Sequence, residues 1–153
     1  MKHFLNSSIE WDEDCWRGDF DFWSRGELVI QTMKEQHIPP TENQKNAWVR
    51  FEDNRKTIFQ NLLDSVFVYY RKMRPRYVAA GEEWAKGMPE IQSAEKLKEM
   101  IRLHTIYISP DDEKEEILIG LLFSCDWDSE HGLGIVVRAV SYTHLTLPTI
   151  LLV

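Results

Sequence analysis

The densest group of chemically capable side chains is the segment from Cys125 to His131. It holds three carboxylates, an imidazole and a thiol within seven residues. Carboxylate oxygens and imidazole nitrogens are common ligands of divalent metals, so this segment could build a metal site. Its candidate ligands are Asp126, Asp128, Glu130 and His131. The spacing is not that of an EF-hand, because Val137 stands where that loop needs a glutamate. The alternative is a solvated turn between two strands, since charged side chains usually face water.

The same segment offers a weaker case for a nucleophile. A thiolate near an imidazole can attack a substrate, and Cys125 lies close to His131 in the chain. A cysteine that ends an apolar strand is usually inert, however, because a nucleophile needs an accessible thiolate. Cys15 and Cys125 belong to no CxxC motif, and their spacing leaves open whether they pair. With no P-loop, GxSxG motif or dinucleotide fingerprint either, the sequence indicates no catalytic residue and no cofactor.

A second cluster combines tryptophan with acid near the N-terminus. Six acidic residues and one arginine lie between Ile9 and Asp21. Tryptophan is favoured at binding surfaces, and a negative patch attracts a basic protein partner and speeds association. The candidate contact residues are Trp11, Asp12, Asp14 and Trp16, together with Trp127 from the first cluster. The alternative is that the tryptophans fill a small core and the acidic side chains are merely solvated.

Composition limits the classes of protein to which the chain can belong. It has 153 residues, of which 43% are hydrophobic and 28% are charged, as in an ordinary globular domain. A net charge of −7 disfavours nucleic acid as the main partner, because phosphates attract a basic face. No apolar run is long enough to span a membrane, and the N-terminus lacks the apolar core of a signal peptide. We therefore expect a cytoplasmic protein of undetermined oligomeric state.

The C-terminal segment 139–153 differs from the rest of the chain. It contains no charged residue, whereas all 43 charged residues lie before it. The stretch from Val140 to Thr149 resembles the translated read-through of a sequencing adaptor. Its period-2 pattern would also suit an added edge strand. We predict a single domain over residues 1–138, truncated at its C-terminus, followed by a non-native tail over residues 139–153.

Sequence patterns also predict the elements that position these residues. Alternation over Asp19–Trp23 and Glu27–Met33 predicts a hairpin with a turn at Ser24–Gly26. A capping box of Thr41 and Gln44 predicts a helix from Glu42. The spacing predicts an interruption at Asp53–Asn54, a second amphipathic helix that ends by Arg74 before Pro75, a helical turn at residues 81–86 and a short helix from Ser93 to Ile101.

Three strands are predicted after the helices. They cover Leu103–Ser109, Glu116–Cys125 and Gly132–Arg138, and the second is apolar enough to be buried on both faces. Short polar turns between them indicate an antiparallel meander. The predicted fold is α+β, with an antiparallel sheet made of the N-terminal hairpin and the C-terminal meander, and with two or three helices on one face.

Two segments carry a resemblance to a known family. The first runs from Pro40 to the Tyr69–Tyr70 pair, and the second runs from Ile106 to Gly134 and includes Trp127-Asp128-Ser129-Glu130-His131-Gly132-Leu133-Gly134. Together they resemble a bacterial family with a domain of unknown function, DUF6985, over most of residues 10–138. The resemblance implies one α+β domain without an assigned activity. Some similar small acidic proteins look like immunity proteins of toxin systems.

These observations favour a non-enzymatic, soluble bacterial domain that binds a basic protein partner. Its acidic surface and the missing catalytic motifs are the grounds for that expectation. The alternative is a metal-binding or metal-dependent hydrolytic domain built on the Asp126–His131 loop.

Overall fold

The computed structural model describes residues 9–113 and 116–138, which form a helical layer on a six-stranded sheet. The strands follow one another across the sheet in chain order. Their bounds are Glu10–Asp12 (β1), Cys15–Phe22 (β2), Ser24–Gln31 (β3), Ile101–Ile108 (β4), Leu118–Cys125 (β5) and Asp128–Arg138 (β6). Every neighbouring pair is antiparallel except β3 and β4, which run parallel.

The single parallel pair has a topological cause. Parallel neighbours need a long crossover connection, and the chain between β3 and β4 supplies it with its helices. The predicted α+β fold, with a hairpin and a meander in one mostly antiparallel sheet, is confirmed. The hairpin turn is tighter than predicted, because Trp23 alone separates β2 from β3, with φ at 61°.

One long helix, α1, covers Glu42–Ala80. The predicted capping box is present: Thr41 Oγ1 accepts from the amide of Gln44 at 3.2 Å, and the Thr41 amide donates to Gln44 Oε1 at 3.0 Å. The predicted interruption at Asp53–Asn54 is wrong. The Asn54 side chain donates to the Arg50 carbonyl at 2.8 Å and so bonds within the helix instead of breaking it.

The predicted end of the helix before Pro75 is also wrong. The loop that follows holds this part of the helix in place, because Arg74 Nε donates to the Met88 carbonyl at 2.8 Å and the Tyr70 hydroxyl donates to the Pro89 carbonyl at 2.5 Å. These contacts offset the backbone hydrogen bond that a proline removes. Residues 71–80 bury no side chain fully, so they extend the helix beyond the core.

The remaining helical segments are short. A helix α2 covers Glu82–Lys86, as predicted for residues 81–86, and 3₁₀ turns cover Met33–Glu35 and Ala94–Glu99. Ser93 precedes the last of these, but its side chain makes no capping hydrogen bond. No helix in the described ranges is long and apolar enough to cross a membrane.

The core lies between α1 and one face of the sheet. Its largest fully buried side chains include Tyr70, Phe51 and Phe123, one of them from β5 and two from α1. The prediction that β5 is buried on both faces is wrong. Along this strand buried residues such as Leu121 alternate with half-buried ones such as Leu122, so one face packs on the helix and the other is partly exposed. The predicted tail, residues 139–153, lies outside the described residues.

Candidate functional site

The acidic and aromatic residues of the N-terminus gather at the β1 edge of the sheet. In the part of the chain that the structure describes, β1 pairs with β2 alone, and the register sets Trp11 opposite Trp16 and Glu10 opposite Arg17. A tight turn joins the two strands, in which Glu13 takes a φ of 52°. Cross-strand partners share a face and successive residues alternate, so Trp11 and Trp16 lie on one face of these strands, while Glu10, Asp12 and Arg17 lie on the other.

The aromatic side chains form a three-ring cluster on the face that the linker before α1 covers. The Trp11 ring stacks on the His37 ring with centroids 4.6 Å apart, and it meets the Trp16 ring edge to face at 5.6 Å. Trp16 is held by its indole N–H, which donates to the Ile38 carbonyl at 2.7 Å. The linker before α1 therefore packs against β1 and β2 and fixes both tryptophans, while His37 itself stays exposed.

On the other face of these strands lies a groove of about 440 Å³. It is lined by Glu10, Trp11, Asp12, Arg17, Gly18, Asp19 and Glu27. Arg17 sits between two of the carboxylates: its Nε lies 2.8 Å from Asp12 and its Nη1 lies 2.9 Å from Glu27. Four carboxylates against one guanidinium leave the groove negative. We call this surface, with its lining residues, the acidic groove.

The two other candidate residues of this region have different places. The Trp16 ring packs edge to face against the Trp11 ring, and Asp14 lies in the turn next to Cys15. Burial, followed by a hydrogen bond with Asp14, raises the pKa of Cys15 to about 11. Of the predicted contact residues, Trp11 and Asp12 therefore line the groove directly.

Sequence reasoning did not place Glu27 in the acidic groove. Glu27 belongs to β3 and enters because Asp19 and Glu27 are paired across the hairpin. Like charges opposite one another destabilise a sheet, so this pair stands out in a hairpin register. The pair is evident when the two strands are aligned on the observed turn at Trp23. The turn predicted at Ser24–Gly26 lies one to three residues too late, and so it does not give this register.

The second cluster, at the turn between β5 and β6, is arranged differently. Trp127 is only 6% exposed and meets the Tyr70 ring edge to face at 5.2 Å. Asp126 points to Arg102, with oxygen and nitrogen 3.1 Å apart. Since β1 and β6 are the opposite edges of the sheet, Trp127 lies far from the acidic groove and belongs to the core. Its assignment as a surface contact is not supported by this burial.

The side chains of the four candidate metal ligands do not converge on one point. Asp128 accepts from both the amide and Nδ1 of His131, at 3.0 and 3.1 Å, and so closes the turn. Asp126 is turned to Arg102, and Glu130 is exposed. In residues 9–113 and 116–138, no three His, Cys, Asp or Glu side chains are grouped to hold a metal ion.

The thiol of this turn is poorly suited to nucleophilic attack. Cys125 is 3% exposed, and burial raises its pKa to about 11, so the thiol stays protonated near neutral pH. Cys15 and Cys125 are both free thiols. Cys15 pairs with the last residue of β3, whereas Cys125 pairs with the first residue of β4, and since β3 and β4 are parallel the two thiols lie at opposite ends of the sheet.

The protein is a two-layer α+β domain, and the acidic groove lies at one edge of its sheet. The family model for a domain of unknown function, DUF6985, matches residues 5–144, and the chain belongs to that family. Comparison of the chain with curated proteins and with solved structures found no match.

Proposed function

We propose that this protein is a non-enzymatic binding module, and that the acidic groove receives the basic side chains of a partner protein. The observation that carries the proposal is the groove itself, with Glu10, Asp12, Asp19 and Glu27 set around Arg17. A group of carboxylates suits an arginine or lysine, because charge-assisted hydrogen bonds hold the cation.

The position of the groove also fits recognition. β1 is a three-residue strand at the edge of the sheet, so a partner can approach the groove without displacing any described helix or strand. The net charge of −7 adds a long-range attraction for a basic surface, which raises the rate of encounter more than the final affinity.

Within this class we favour an immunity-like role, in which the partner is a basic toxin encoded beside the gene. Such a protein neutralises its partner by covering a basic surface, so it needs complementary charge and shape, and no reacting group. The free thiols Cys15 and Cys125 suit the reducing bacterial cytoplasm in which it would act.

The proposal is tested by binding to the proteins encoded next to the gene. Each neighbour is titrated against the chain by calorimetry, first with the wild type and then with Glu10→Lys/Asp12→Lys. We expect a basic neighbour to bind, and the double variant to weaken it by at least about tenfold, since two charges in the groove are reversed.

A matched variant separates site-specific binding from bulk charge. Asp53→Lys/Asp64→Lys makes the same change in net charge at two exposed positions of α1. We expect this variant to weaken binding by no more than about twofold, and less at higher salt. Equal losses in the two variants, or no binding by any neighbour, would contradict the proposed function.

A further inference from the structure

A second groove lies where the tip of the first hairpin meets α1. It has a volume of about 370 Å³, within the range of small-molecule sites. Its lining residues are Trp23, Lys56, Phe59, Gln60, Leu63 and Lys98. We call it the hairpin-tip groove. It shares no lining residue with the acidic groove.

The floor of this groove is apolar and held firmly. The Trp23 ring meets the Phe59 ring edge to face at 4.4 Å and lies 5.7 Å from the ring of Phe123. Leu63 closes the floor and is 1% exposed. Since Phe59 and Leu63 are one turn apart on α1, they present one continuous apolar surface next to the indole.

The backbone of Trp23 indicates that its ring position is imposed by the surroundings. A bulky residue rarely adopts a positive φ, and Trp23 has a φ of 61° as the only residue between β2 and β3. Such a conformation is held by the packing around it, here the contacts of the ring with Phe59 and Phe123.

The rim carries positive charge on both sides. Lys56 comes from α1, and it forms no ion pair with any residue in the described ranges. Lys98 comes from the 3₁₀ turn Ala94–Glu99, and its ammonium lies 2.9 Å from Glu95 in a solvent-exposed pair. Exposed pairs of this kind contribute little, so Lys98 can turn to another anion at small cost.

The local charge contrasts with that of the whole molecule. The chain is acidic, yet no lining residue of this groove is acidic. Surface charges more than a Debye length away, about 8 Å at physiological salt, are largely screened. Lys56 and Lys98 are therefore the charged lining residues nearest to an occupant, and the Glu95 carboxylate offsets part of the Lys98 charge.

We infer that the hairpin-tip groove binds a small carboxylate with a flat or extended apolar body. The body would lie on Trp23, Phe59 and Leu63, and the carboxylate would be held between Lys56 and Lys98. A neutral molecule of the same shape would keep the apolar contact and lose the charge-assisted hydrogen bonds.

The inference is tested with 4-phenylbutyrate and its neutral counterpart, 4-phenylbutanamide. Each is titrated into the ¹⁵N-labelled full chain, and the indole N–H of Trp23, assigned from the spectrum of Trp23→Phe, is followed by NMR. We expect a saturable shift for the carboxylate and at least about fivefold weaker binding of the amide. Equal affinity of acid and amide, or a Trp23 signal that never shifts, would overturn the inference.

Two pairs of substitutions locate the charge. Lys56→Gln/Lys98→Gln is expected to weaken the binding of 4-phenylbutyrate by about tenfold and to leave the affinity for 4-phenylbutanamide unchanged. Lys72→Gln/Lys96→Gln removes the same charge from exposed positions of α1 and of the same 3₁₀ turn, outside the groove, and is expected to change the affinity by less than about twofold. Similar losses in both variants would show that the affinity follows the overall charge of the chain and not these two lysines, and would overturn the inference.

Discussion

Two parts of this molecule place tryptophan among acids, and they use the same residue types in opposite ways. At the β1 edge, Trp11 stays half-buried beside a groove whose carboxylates face one another. At the β5–β6 turn, Trp127 is buried while Asp126 and Asp128 turn outward to Arg102 and His131. Position in the sheet, more than composition, decides which tryptophan can serve recognition.

The cause of the difference is what lies on either side of each ring. Among the described residues, β1 has one neighbouring strand, and the ring contacts of Trp11 are those with Trp16 and His37. The β5–β6 turn packs closely on the end of α2, where a Cβ added at Gly87 would come within 3.1 Å of the Trp127 Cα. That close approach, together with Tyr70, encloses Trp127.

Replacing each tryptophan should therefore give unequal losses of stability, and this is the largest expected effect. Trp127→Ala should lower the free energy of unfolding by about 3–5 kcal/mol, because it empties a filled core site. Trp11→Ala should cost about 1 kcal/mol or less, since the ring is partly exposed. Guanidinium denaturation measures both, and equal losses would contradict the assignment of Trp127 to the core and Trp11 to the edge.

One buried amide joins the hairpin to the meander. Gln44 is 1% exposed, and its Nε2 donates to the carbonyls of Gln31 at 2.7 Å and of Ser109 at 2.9 Å. Gln31 ends β3, and Ser109 directly follows β4. A single side chain thus ties the hairpin, the meander and the first turn of α1 together.

Gln44→Ala is expected to destabilise the protein by about 2–4 kcal/mol, because it leaves buried backbone carbonyls without a donor and removes half of the capping box. The matched control is Gln60→Ala on the exposed side of the same helix, with an expected change below about 0.5 kcal/mol. Thermal and guanidinium unfolding compare the two. If Gln44→Ala loses no more stability than Gln60→Ala, the Gln44 amide does not join the hairpin to the meander.

Local patterns predicted most of the elements, because each depends on neighbours in the chain. The capping box of Thr41 and Gln44 and the alternation of the meander strands are such signals. The long-range roles were not predictable in this way. Nothing near Gln44 in sequence shows that its amide will reach β3 and β4, and nothing near Pro75 shows that Met88 will hold the helix together across it.

The acidic groove was predicted only in part for the same reason. Trp11 and Asp12 are visible as a local cluster of aromatic and acidic residues. Glu27 joins the groove through the hairpin register, which depends on a turn of one residue at Trp23. A one-residue error in a register moves every side chain to the other face, so site prediction from an uncertain turn fails sooner than fold prediction.

The two regions should respond alike to alkaline pH, since each holds one buried thiol. Burial raises the pKa of Cys15 and of Cys125 to about 11, from 9.0 for an exposed thiol. Between these values the folded state holds protons that the unfolded state has lost. The contribution of the thiols to the free energy of unfolding should therefore be constant below about pH 9 and fall above it, by roughly 1 kcal/mol per pH unit for each thiol.

Guanidinium unfolding from about pH 8 to about pH 10.5 measures this slope. Cys15→Ala and Cys125→Ala should each reduce it, while the raised pKa of Tyr70, about 12, adds a loss at the upper end in every variant. A slope that neither substitution changes would mean that the thiols are not desolvated in solution.

The smallest expected effect distinguishes a turn from a metal site at Asp128. Asp128→Ala should cost about 1 kcal/mol, because it removes the acceptor for the His131 amide, whereas His131→Ala should cost less than about 0.5 kcal/mol, because its side chain is exposed. If Asp128 serves only the turn, millimolar Mn²⁺ or Zn²⁺ should leave the melting temperature of the wild type and of both variants unchanged. A metal-dependent rise that is confined to the wild type would instead favour the metal-binding alternative, since a bound ion stabilises only the state that holds it.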